Sequence, residues 1–141
     1  MMLDDFEAAK HSWDLILEQG GDPISGRYMK SFCESRLGNK DQAVALYREA
    51  LGMEEKGKTS PGYEQALLAA GEACMEAGDH EGAKVLYEEA LRTTGGDGRF
   101  ESRVRCQMGL YQMAEEDYEG AADSFYQGYD RLITSYKAGT G

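Results

Sequence analysis

Four ungapped segments of this chain follow one pattern, and that repetition restricts the possible fold more than any other property of the sequence. They are Asp5-Phe6-Glu7-Ala8-Ala9 through Leu17, Asn39-Lys40-Asp41-Gln42-Ala43 through Leu51, Asp79-His80-Glu81-Gly82-Ala83 through Leu91, and Asp117-Tyr118-Glu119-Gly120-Ala121 through Tyr129. Each opens on Asp or Asn and reaches an alanine four residues later. Four residues further stands an aromatic (Trp13, Tyr47, Tyr87, Phe125), and three beyond it Ile16, Ala50, Ala90 or Gly128. Steps of that size return to one face of an α-helix.

A short Asp or Asn side chain accepts from the first free amides of a helix, so each segment is predicted to begin with a cap. The alanine admits a neighbouring backbone, and the aromatic one turn later fills the space beside that close approach. The anchoring alanines Ala9, Ala43, Ala83 and Ala121 lie 34, 40 and 38 residues apart. That leaves room in each period for a second helix packed against the first. The preceding helix is legible twice: Gly71 stands twelve residues before Ala83 and Gly109 twelve before Ala121, both inside helix-forming stretches. A mid-helix glycine costs about 1 kcal/mol relative to alanine, so its recurrence predicts tight helix contact. Gly78, next to Asp79, is placed to end one helix before the next begins.

These residues resemble the tetratricopeptide repeat, whose pattern runs W-x2-L-G-x2-Y, then A-x3-F, then P over about 34 residues. Leu67, Gly71, Cys74, Gly78, Ala83, Tyr87 and Ala90 fall on its signature positions in one repeat, and Gly109, Tyr118, Ala121 and Phe125 in the next. The first full repeat matches in its second half only, through Gly38, Ala43, Tyr47 and Ala50. Strict register would put Arg27, Lys30 and Glu34 on packing positions there; either the helix is shifted by about one residue, turning Tyr28 and Phe32 inward, or it is atypical. The resemblance implies an all-α, right-handed superhelical stack of antiparallel hairpins, a single domain over residues 1–141 with about seven helices. They are expected near 3–19, 24–37, 40–54, 61–77, 80–93, 99–115 and 118–136. Pro23 and Pro61 suit helix starts. The longer spacings place loops at Gly52 to Ser60 and Thr93 to Arg99.

Charge narrows the partners. Fifteen Lys plus Arg against 26 Asp plus Glu give a formal net charge of -11, which repels phosphate backbones and anionic headgroups, so neither nucleic acid nor a membrane surface is an expected partner. No apolar run approaches the ~20 residues of a membrane span. The N-terminus lacks the basic start and apolar stretch of a secretory signal, and the chain is expected in the cytoplasm. Cys33, Cys74 and Cys106 form no CxxC pair and have no His at metal-ligand spacing, so they are expected as free thiols; no metal and no cofactor is expected.

No catalytic set is visible: His11 and His80 sit among polar residues near helix starts, and Gly95-Gly96-Asp97-Gly98 lacks the Gly-Lys-Ser/Thr of a phosphate loop. The expected function is therefore that of a non-enzymatic scaffold or adaptor that binds a protein or peptide. By resemblance, the first helix of each hairpin lines a concave groove, through Tyr28, Phe32 and Arg36, then Gln65, Leu68, Glu72 and Met75, then Arg103, Cys106, Leu110 and Met113. Apolar residues and methionines in that set suit an apolar peptide segment, as in small repeat chaperones that hold apolar partners. A subgroup of the family grips chaperone-tail carboxylates with Lys and Asn; the corresponding positions here carry Tyr28, Phe32, Ala69, Arg103 and Gln107, which does not fit. The alternatives are a regulatory segment of a larger protein, or a homo-oligomer assembled through the terminal helices: the apolar residues Leu3, Phe6, Trp13, Ile16 and Leu17 at one end, and Tyr126, Tyr129, Leu132, Ile133 and Tyr136 at the other.

Overall fold

A computed structural model describes residues 3–56, 58–93 and 98–137. Among them lie seven helices and no strand: α1 (Leu3–Glu18), α2 (Pro23–Arg36), α3 (Lys40–Met53), α4 (Tyr63–Glu76), α5 (His80–Thr93), α6 (Gly98–Ala114) and α7 (Tyr118–Lys137). Each lies within two residues of its expected span. The connector expected at Thr93 to Arg99 falls largely on 94–97, outside the described residues. Contacts divide the chain into two compact units, Met1–Gly78 and Asp79–Gly141.

In the first unit α2 packs against α1, α3 and α4. Asp22 starts it, accepting from the amides of Ile24 (2.9 Å) and Ser25 (3.4 Å), with Pro23 in the first turn, where its missing N–H costs nothing. Ser31, fully buried, donates to the Ala43 carbonyl at 2.6 Å and so ties α2 to α3 at the position where alanine lets the backbones approach. The helix ends in a turn in which Gly38 takes φ +83°, and Asn39 N–H reaches back to the Glu34 carbonyl.

Three buried tyrosines form the centre of this unit: Tyr28 lies 6.1 Å from Tyr47 and 5.8 Å from Tyr63, and Tyr47 lies 6.0 Å from Tyr63, ring centre to ring centre. Tyr28 donates its hydroxyl to Glu54 at 2.9 Å, and Glu54 also accepts from the amide and hydroxyl of Ser60, pinning the α3–α4 loop over the cluster. Tyr28 therefore turns inward, as the one-residue shift requires. Pro61 does not begin α4. Gly62 follows it with φ +98°, a conformation open to glycine, and a Cβ there would stand 3.1 Å from that of Tyr28, so the helix starts at Tyr63, two residues beyond Pro61.

In the second unit α6 packs against α5 and α7. Ser102 repeats the role of Ser31, donating to the Gly128 carbonyl of α7 at 2.7 Å. Gly109 meets the Phe125 ring so closely that a Cβ would lie 2.6 Å from its nearest atom, which is the contact the recurring mid-helix glycine predicted. Asp79 and Asp117 cap α5 and α7, each accepting from the amide three residues on, Gly82 at 2.9 Å and Gly120 at 3.0 Å. The other two expected caps differ. Asp5 lies inside α1, and Asn39 turns its amide to the Glu34 carboxylate at 3.2 Å instead of capping α3.

Candidate peptide-binding surface

The residues expected to line a binding groove divide by helix. Tyr28 has no exposed surface and is held in the tyrosine cluster, so it is a core residue and offers a ligand nothing. Burial and the neighbouring Glu54 carboxylate push its phenol well above the usual value of 10. Phe32 is half-buried: Phe6 meets it edge-on at 6.1 Å, and the Arg36 guanidinium lies 5.2 Å from the ring centre. Arg36 in turn pairs with Glu72 of α4 at 3.4 Å, and both side chains keep more than a third of their surface. Between α2 and α4 lies a shallow depression lined by Ser35, Arg36, Ala69, Glu72, Ala73 and Glu76. The two alanines leave the room, and the ion pair spans it. Leu68 and Met75 are half-buried, and Gln65 is exposed. The α2–α4 face is therefore more polar than the sequence pattern led one to expect.

On α6 the balance reverses. Leu110 and Met113, one turn apart, expose 49% and 46% of their surface, Arg103 is exposed and Cys106 is half-buried. All three cysteines are free thiols; Cys33 and Cys74 are buried, and burial raises the pKa of the Cys33 thiol, which lowers its reactivity. His80, at the start of α5, is half-buried and bonds Glu115 through Nδ1 at 2.7 Å. Among the described residues no group of His, Cys, Asp and Glu is arranged to hold a metal. No helix among them is long and apolar enough to cross a membrane.

Residues 36–102 match the sequence profile of the tetratricopeptide repeat family. This stretch is built of tetratricopeptide repeats. It begins at the end of α2, takes in α3, α4 and α5, and ends early in α6. No curated protein and no solved structure matches the chain significantly. Tetratricopeptide repeats are non-enzymatic scaffolds that mediate protein–protein interaction.

Sequence reasoning missed the polar contact beneath α1. Glu34, 8% exposed, takes Lys10 at 3.2 Å as well as the Asn39 amide, and the bond to Glu34 raises the Lys10 pKa. A glutamate on a packing position was its only signal, and that registered as a departure from the family pattern.

Proposed function

We propose that this chain is a non-catalytic adaptor that binds a protein partner through an apolar peptide segment, in the manner of a holding chaperone, with Leu110 and Met113 of α6 as the apolar contacts. The observation that carries this reading is the exposure of those two residues on a helix whose buried positions are otherwise occupied by Phe100, Ser102, Val104 and Gly109. Met adapts its shape to different partners and Leu supplies area. On the first unit, the Arg36–Glu72 pair offers polar groups to a peptide backbone or side chain, beside Phe32, Leu68 and Met75. The net charge of -11 favours a protein over nucleic acid or an anionic membrane.

The test is a titration of a peptide selected against the intact chain from a random library. Affinity in such sites concentrates in a few anchors, so Leu110→Ala with Met113→Ala should weaken binding by roughly ten-fold, and Leu68→Ala less. Glu88→Ala on α5 should leave it unchanged. Equal affinities for all four proteins would exclude these faces as the binding surface.

A further inference from the structure

α7 carries four tyrosines whose surface is mostly exposed: Tyr118 at 63%, Tyr126 at 69%, Tyr129 at 63% and Tyr136 at 58%. Tyr118, Tyr129 and Tyr136 are separated by eleven and seven residues, close to three and two helical turns, and Tyr126 stands one turn before Tyr129. They form one stripe, while Ala121 and Gly128 are buried and Ser102 of α6 reaches the Gly128 carbonyl. Scattered exposed apolar residues need no explanation; four large ones on one face of a helix do.

Two further observations indicate what the stripe accepts. Glu119, Asp123 and Asp130 are exposed along its edge, at i−7, i−3 and i+4 from Tyr126. And at one end the chain satisfies the stripe itself, with the Arg99 guanidinium 5.7 Å from the Tyr136 ring centre. We propose that the α7 face formed by Tyr118, Tyr126 and Tyr129 docks an arginine-bearing amphipathic segment of a partner protein.

Arginine satisfies both halves of the surface, because its planar guanidinium stacks on an aromatic face and also forks onto a carboxylate, whereas the strongly hydrated lysine ammonium does neither as well. A purely apolar segment would cover the rings but desolvate the neighbouring carboxylates, of which Asp123 already accepts from the Gln127 amide at 2.8 Å, without offering them a compensating charge. A second copy of this chain carries the same net charge of -11 and would bring like acidic edges together.

This surface is on a different helix from Leu110 and Met113, and separate variants of the two helices let the two readings fail separately. The probe is a short labelled amphipathic helical peptide with Arg and Leu on one face, alongside counterparts with Lys or Glu replacing Arg. The proteins are the intact chain, Tyr126→Ala/Tyr129→Ala, Asp123→Asn/Asp130→Asn, a charge-matched control Glu18→Gln/Glu81→Gln, and Leu110→Ala/Met113→Ala. Loss of two exposed ring contacts should weaken the Arg peptide by roughly five- to thirty-fold. The Asp pair should weaken it and flatten its salt dependence. The Lys peptide should bind less well and the Glu peptide not measurably, while the Glu18/Glu81 variant keeps wild-type affinity; a loss in the Leu110/Met113 variant with none in the tyrosine variant would place the peptide on α6 and overturn the proposal. Equal weakening by the Asp123/Asp130 and Glu18/Glu81 pairs would reduce the effect to net charge and overturn the proposal. So would an unchanged affinity in the tyrosine variant, or a self-association in sedimentation that the tyrosine variant abolishes while the Arg peptide fails to bind.

Discussion

Replacing Tyr28 by phenylalanine removes one hydroxyl from the best-defined contact in the first unit and leaves the rest of the tyrosine cluster in place. The lost bond, 2.9 Å to Glu54, is between a neutral donor and a carboxylate. Such bonds are worth about 1.5–3 kcal/mol net. Glu54 keeps the amide and hydroxyl of Ser60, so its carboxylate is not stranded, and the new ring retains the contacts to Tyr47 and Tyr63 at 6.1 and 5.8 Å. The loss should therefore fall at the lower end, about 1.5 kcal/mol near neutral pH.

The same bond gives the variant a pH signature. Unfolded, Tyr28 releases its proton near the ordinary pH of 10; folded, burial and Glu54 hold the proton on. Above pH 10 the unfolded chain binds fewer protons than the folded one, so stability from this group is fully present below pH 10 and falls as pH rises, by about 1.4 kcal/mol per pH unit. The Tyr28→Phe side chain cannot titrate, and the other ionising groups cancel in the difference between the two proteins. Urea unfolding followed by circular dichroism should show wild type ahead by about 1.5 kcal/mol from pH 7 to 9. The gap should close about one pH unit above 10. A gap that stays constant to about pH 11.5 would mean that Tyr28 ionises as readily folded as unfolded, and the buried bond to Glu54 would be refuted.

Glu116, exposed, takes the left-handed φ of +63° at the end of α6 that Gly38 and Gly78 take elsewhere. Glu116→Gly should stabilise the chain by about 0.5–1 kcal/mol, read as a raised urea midpoint at unchanged slope. Gly109→Ala gains about 1 kcal/mol of helix propensity but drives a methyl into the Phe125 ring, at about 1–3 kcal/mol. A net loss of up to about 2 kcal/mol is expected in thermal unfolding, and Phe125→Leu in the same chain should recover part of it.

What could be read from the sequence was what the repeat repeats. Ala43, Ala83 and Ala121 are all buried, and Tyr47 and Tyr87, the aromatics of the two middle copies, have no exposed surface. The left-handed turn at Glu116 was not legible, since nothing in a glutamate announces a left-handed residue. Where a contact belongs to a single copy, the pattern carried no information. Glu34 holds both Lys10 and the Asn39 amide, so Asn39 is not free to cap α3; Pro61 is followed by a glycine whose φ postpones the helix.

The proposed contact residues follow the same division. The repeat resemblance pointed to helices, but exposure depends on which neighbours cover each turn. Tyr28 and Phe32, one turn apart on α2, show how sharply this varies: the first is enclosed by Tyr47 and Tyr63, and the second lies between Phe6 and an exposed arginine. A partner-specific surface has to sit where the repeat stops constraining the side chain. Leu110 and Met113 on α6 and Tyr118, Tyr126 and Tyr129 of α7 satisfy that condition, because about half or more of each side chain lies outside the packed core. Changing them should alter binding and leave folding intact, whereas changing Ser31, Tyr47 or Ser102 should do the reverse.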